Sequence, residues 1–169
     1  MDRPLLLLDV DGVLNPWLMS ELPDGYQLHR IGMFDVILAS WHGPAILELC
    51  EEANLDLVWA TTWEEDANRE IAPRVGLPDD LRWIPFPMDD DDPLVESRKL
   101  PAVRRWVQDR PCVWIDDDLW GDAWAWAAQR SGDGIPTLLV QPHPDEGLTP
   151  AHLAAVSSWV SDLEPDSRW

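Results

Sequence analysis

A chain of 169 residues, 46% of them hydrophobic, suffices for one domain over residues 1–169 that buries about 70% of the surface its unfolded form would expose. Its 32 acidic and 12 basic side chains leave a formal net charge of -20, which disfavours nonspecific attachment to nucleic acid or to an anionic membrane. Cys50 and Cys112 lie in apolar segments without C-x-x-C spacing and read as reduced core thiols, the usage of a cytoplasmic protein.

The first predicted element is the run Leu5-Leu6-Leu7-Leu8, bounded by Pro4 and closed by Asp9-Val10-Asp11-Gly12. Four leucines suit a strand buried on both faces of a parallel sheet and are too few for a membrane span or a signal h-region. In an open α/β sheet ligands bind beyond the carboxyl ends of the strands, which puts Asp9 and Asp11 at the mouth of a site, with Gly12 turning the chain away. The stretch from Pro16 to Asp35, punctuated by Pro23, Gly25 and Gly32, reads as an irregular flap with a short hairpin arm over Tyr26 to Ile31.

Gly43-Pro44 opens a helix with Ile46, Leu47, Leu49, Cys50 and Ala53 as its apolar face. A second strand follows over Leu55 to Ala60 and ends on Thr61-Thr62. Trp63 to Val75 is predicted as one helix, acidic in its first turn and stopped by Gly76. Leu81 to Phe86 is an edge strand, because Pro85 lacks the ladder donor, and the run Asp89 to Asp92 is a solvated acidic loop.

Lys99, the sole lysine, precedes Pro101 at the start of a helix that turns Ala102, Val103, Trp106 and Val107 inward. The strand Cys112-Val113-Trp114-Ile115 then ends in Asp116-Asp117-Asp118, with Asp118 available to cap the helix patterned by Trp124, Ala127 and Ala128. A strand over Pro136 to Val140 and a last helix capped by Thr149, with Pro150 at its first position, complete the alternation. The predicted class is α/β, a three-layer, doubly wound, Rossmann-like and mostly parallel sheet with a small flap and no large cap domain. Most of the 12 tryptophans are expected in its core. His29, His42, His143 and His152 lack ligand spacing and are assigned no catalytic role.

The polar residues at strand ends fall in the order Asp9 and Asp11, Thr61 and Thr62, Lys99, then Asp116 to Asp118. That order resembles the haloacid dehalogenase-like (HAD) superfamily, with its Asp-x-Asp-Gly, its strand-terminal Thr or Ser, its Lys and its acidic pair. The resemblance implies Asp9 as nucleophile toward phosphorus and Asp11 as general acid and then base, the residue that separates phosphatase-type members from dehalogenases. It implies Thr61, or less favourably Thr62, together with Lys99 on the phosphoryl oxygens. The implied cofactor is Mg²⁺, held by Asp9, the backbone carbonyl of Asp11 and Asp116, with Asp117 either joining through water or holding Lys99.

More narrowly, Asp9-Val10-Asp11-Gly12-Val13-Leu14-Asn15-Pro16, Trp59 to Asn68 and Trp114 to Asp118 are similar to the HAD domains of Swiss Army Knife RNA repair proteins. The implied substrate is a phosphorylated small molecule, a nucleotide or a nucleic-acid end. Trp17, Trp63 and Trp120, each beside a motif, are candidates to stack a base. The charge of -20 without a basic stripe speaks against extended nucleic-acid binding. The alternatives are a catalytically idle binding or regulatory protein that keeps the fold, and a phospho-receiver module. In the latter, Thr and Lys follow the acidic residues, whereas here Thr61 and Lys99 precede Asp116.

Overall fold

Leu5–Leu8 form β1, and β1 is the middle strand of the sheet around which the remaining strands are laid. A computed structural model describes residues 3–17, 22–87 and 95–163; the Asp89 to Asp92 run lies outside the described residues. On one side β1 pairs in parallel with β4 (Asp56–Trp59), which pairs with the two-residue edge strand β5 (Arg82–Trp83). On the other it pairs with β6 (Cys112–Ile115), followed by β7 (Thr137–Val140), so the order is β5-β4-β1-β6-β7, all parallel. All four leucines are fully buried because the side chains alternate between two faces that are both covered.

Leu6 and Leu8 meet Ile46 and Leu49 of α1 (His42–Glu52), Ala72 and Val75 of α2 (Ala72–Val75), and Leu153 and Val156 of α5 (Pro150–Asp162). Leu5 and Leu7 meet Leu100, Val103 and Val107 of α3 (Leu100–Val107), with Ala123, Trp126 and Ala127 of α4 (Gly121–Gly132). The doubly wound α/β class is therefore as expected, with one antiparallel hairpin, β2 (Tyr26–Ile31) with β3 (Phe34–Ala39), outside the main sheet. No helix among the described residues is long and apolar enough to cross a membrane.

Several expectations are corrected. The flap is regular beyond Asp35: Phe34–Ala39 forms the second hairpin strand, joined to the first through Gly32 (φ 60°) at the start of a two-residue turn. The helix expected over Trp63 to Val75 begins at Ala67 as a wide π turn, Ala67–Ile71, before α2. Pro73 supplies no N–H and crowds the carbonyl four residues earlier, which opens the register at that point. The edge strand stops at Trp83, two residues before Pro85.

The tryptophans are less central than expected. Among the eleven described, Trp59, Trp114 and Trp126 are buried, whereas Trp17, Trp120 and Trp124 are exposed and the rest are half-buried. Trp59 shows how a buried indole is accommodated: its Nε1 donates to Asn68 Oδ1 at 2.9 Å, and Asn68 in turn donates to the Leu81 carbonyl at 2.7 Å, tying β4 to the start of the edge strand.

Candidate active site

The register of the three central strands assembles the site. Leu8 lies opposite both Trp59 and Ile115, so the residues that follow, Asp9, Ala60-Thr61 and Asp116, emerge side by side at the carboxyl edge. Backbone bonds hold them there: Asp9 N–H donates to the Ile115 carbonyl at 3.1 Å and Ala60 N–H to the Leu8 carbonyl at 2.8 Å. Beyond Asp9 the carbonyl of Val10 accepts from the amides of Val13, Leu14 and Asn15, closing a tight turn that projects Asp11 sideways.

Lys99 comes from the residue preceding α3 and reaches between two of these carboxylates, with Nζ 2.6 Å from Asp9 Oδ2 and 2.8 Å from Asp116 Oδ2. Asp116 is fully buried and also accepts from Trp114 Nε1 at 3.2 Å and from the Asp118 amide at 3.0 Å. Burial works against the ammonium of Lys99, yet Asp116 and Asp9 together hold its pKa above the ordinary range, so it stays cationic. Excess negative charge remains on the acids. Burial, and after it Asp116, push the Asp9 carboxyl up to about 8 against the pull of Lys99. Burial and Asp116 push Asp117 up to about 6.

Ligand oxygens of Asp9, Asp116 and Asp117 lie within 4.8 Å of one another. An all-oxygen set of three crowded carboxylates suits a hard divalent cation, whose charge would offset the burial and the Asp116 repulsion that raise Asp9 and Asp117. Asp117 reaches the cluster because residue 12 is glycine. Gly12 has φ 73°, and a Cβ there would fall 2.2 Å from Asp117 Cγ. The Asp11 side chain is not part of this cluster.

Asp11 is instead gripped from both sides. Asn15 Nδ2 donates to Oδ1 at 2.8 Å and Trp63 Nε1 donates to Oδ2 at 2.9 Å. Both donors are tied to the hairpin: Asn15 Oδ1 accepts from the Ile37 amide at 2.8 Å, and Phe34 packs edge-on to Trp63 with ring centroids 6.0 Å apart. Trp63, a candidate base-stacker from sequence, is thus a hydrogen-bond donor to Asp11. Thr61 is fully buried with its hydroxyl turned to the Trp63 amide at 3.4 Å, whereas Thr62 is exposed on the cleft wall.

The cleft has a volume of about 650 Å³, and Asp9, Asp11, Thr62, Lys99 and Asp117 line its inner part. Arg98, Glu96, Asp118, Trp17 and Trp120 complete the lining, the two indoles 63% and 56% exposed. Asp118 caps no helix; its Oδ1 accepts from Trp120 Nε1 at 2.6 Å.

A further residue was not singled out from sequence. Asp122, in the first turn of α4, accepts from the Ser97 hydroxyl at 2.6 Å and from the Glu96 amide at 3.0 Å. Ser97 Oγ in turn accepts from the Trp120 amide at 2.9 Å, so Asp122 anchors the segment that carries Lys99. Burial alone would raise the Asp122 carboxyl, but the Ser97 hydroxyl and the surrounding amides hold it below the usual range.

The family model for the HAD domain in Swiss Army Knife RNA repair proteins matches residues 5–153. The chain belongs to this HAD family. Neither a curated protein nor a solved structure matches it. The matched span contains the whole constellation from Asp9 to Asp117, and the HAD domain is built here without a large cap: between β1 and β4 the described residues form one hairpin and one helix.

Proposed function

We propose that the protein is a Mg²⁺-dependent phosphomonoester hydrolase that works through an aspartyl-phosphate on Asp9. The observation that carries this reading is the contact of Lys99 with both Asp9 and Asp116, at 2.6 and 2.8 Å, beside an Asp11 held outside the acidic cluster. Two carboxylates two residues apart thereby have different surroundings and different tasks.

Asp9 attacks phosphorus in line, and the bond from phosphorus to the leaving oxygen breaks. Asp11 gives its proton to that oxygen, then takes one from the water that hydrolyses the acyl phosphate. Lys99 holds charge on the phosphoryl oxygens, and Thr62, facing the cleft, offers a hydroxyl to one of them, with Thr61 buried beneath. Asp9, Asp116 and Asp117, with the carbonyl of Asp11, would hold the cation, which when bound neutralises phosphoryl charge that the acidic cluster would otherwise repel.

The substrate we infer carries a terminal phosphate: a nucleotide or the end of an RNA. The open cleft, Arg98 and the exposed rings of Trp17 and Trp120 support this, and the net charge of -20 favours a short ligand over an extended strand. The test is a panel of aryl phosphates, nucleotides, 3′- and 5′-phosphorylated oligonucleotides and phosphopeptides, assayed with and without Mg²⁺. Hydrolysis is expected only with the metal, abolished in Asp9→Asn and reduced about 10²- to 10⁴-fold in Asp11→Asn. A folded protein inactive on the whole panel would contradict the enzyme reading and leave a binding role.

A further inference from the structure

The cleft does not end at Asp11. Asp11 and Thr62 also line a second cavity, of about 410 Å³, beneath the β2–β3 hairpin, walled by Phe34, Trp63, Asp35 and Asp66. Phe34, at the hairpin tip, is 63% exposed, and its ring makes a T-shaped contact with a Trp63 whose orientation is set by the 2.9 Å bond to Asp11. Two rings held against each other at an open wall, beside the proton donor of the reaction, form a surface for a third ring.

Direction and charge then narrow the ligand. In-line attack by Asp9 drives the leaving oxygen away on the opposite side of phosphorus, where it collects the Asp11 proton as its bond to phosphorus breaks. The group attached to that oxygen must lie beside Asp11, and Asp11 is shared by the two cavities. Among the described residues no lysine or arginine lines the second cavity. Its carboxylates, Asp35 paired at its outer side with Arg30 at 2.9 Å and Asp66 paired with Arg69, offer acceptors and repel anions.

We propose that the cavity beneath the hairpin is the leaving-group subsite and that it takes an uncharged flat ring bearing hydrogen-bond donors. This deepens the phosphohydrolase reading and rests on the role given there to Asp11. It assigns the two ends of the site opposite chemistry, with anionic groups at Lys99 and Arg98 and an uncharged ring at Phe34 and Trp63.

Calorimetry in Mg²⁺ with ethylphosphonate, benzylphosphonate, 4-aminobenzylphosphonate and 4-carboxybenzylphosphonate tests it without requiring turnover. The phosphonate should occupy the cleft, the benzyl ring should tighten binding about tenfold over ethyl and the aminobenzyl ring should bind tighter still, with the advantage lost when the ring carries a carboxylate. Phe34→Ala, an exposed position, should erase the ring advantage and leave ethylphosphonate unchanged, whereas Trp120→Ala should preserve it. A ring that adds no affinity, or an advantage that survives Phe34→Ala, overturns the subsite. Ring-dependent binding by a protein that hydrolyses no phosphoester contradicts the enzyme reading instead, and hydrolysis without a ring advantage contradicts the subsite alone.

Discussion

Asp11 owes its place to two donors, Asn15 and Trp63, that each bond one oxygen and leave a lone pair on each for the proton it transfers. A hydrogen bond contributes roughly 0.5–1.5 kcal/mol net, so Trp63→Phe, which keeps the ring and removes the N–H that orients Asp11, should lower kcat by about two- to tenfold with little change in KM. Steady-state kinetics on an aryl phosphate reads this directly, and Trp63→Phe in an Asp11→Asn background should cost nothing further. Gly12→Ala meets a different obstacle: its Cβ and the Asp117 carboxylate would compete for the same volume, so the Mg²⁺ concentration needed for half-maximal activity should rise. The carboxylates and Lys99 were legible in the sequence because each ends or adjoins an apolar run. Trp63 was legible only as a neighbour of a motif, since its bond to Asp11 spans 52 residues and no local pattern encodes such a pairing. Spacing likewise locates the strand end at Thr61-Thr62, and only the backbone path decides which of the two is exposed at the cleft.

Elements with both faces covered were the easiest to read. The strand Cys112–Ile115 has the predicted ends, and α1 begins one residue before Gly43. The failures share a cause in proline and hairpin chemistry. Pro73 converts the expected first helical turns into a π segment, and the strand Phe34–Ala39 alternates too weakly to announce itself until Gly32 turns the chain back. The segment carrying Lys99 is short and irregular, and its rigidity comes from Asp122. Asp122→Ala should therefore lower kcat through Lys99 as well as the melting temperature, and Asp122→Asn, which keeps acceptor capacity, should recover part of both. The pH dependence has a defined sign. A carboxyl held below its unfolded value of 3.8 contributes stability above that pH and loses it as the pH falls through the folded value, so the melting temperatures of wild type and Asp122→Asn should converge in acid.

Across the whole molecule, the balance of charge and burial sets the response to acid. His42 is fully buried, its Nε2 3.2 Å from the Leu148 carbonyl, with Tyr26 and Trp41 packed on its ring. Burial pulls its pKa down to about 4, against a small opposing effect of the Leu148 bond. Between about pH 6.5 and about 4 the unfolded chain therefore takes up a proton at this imidazole that the folded one does not, and the His42 contribution to stability falls with pH by at most about 3 kcal/mol. Asp9 and Asp117, held above their ordinary range, act in the opposite direction, so urea titrations should isolate the His42 contribution as the difference in slope between wild type and His42→Phe. The surplus of carboxylates that gives the chain its charge of -20 is also felt at the site: Lys99 supplies one cation, and Asp9, Asp116 and Asp117 could hold another.

The most direct test is acid quench of a single turnover with Mg²⁺ and an aryl phosphate, followed by mass spectrometry of the peptide that spans Leu5 to Asn15. The phosphoryl group is predicted on Asp9, accumulating in Asp11→Asn as its hydrolysis slows and absent from Asp9→Asn. Turnover with no phosphorylated peptide, or with the phosphoryl group on any other residue, would contradict Asp9 as the nucleophile.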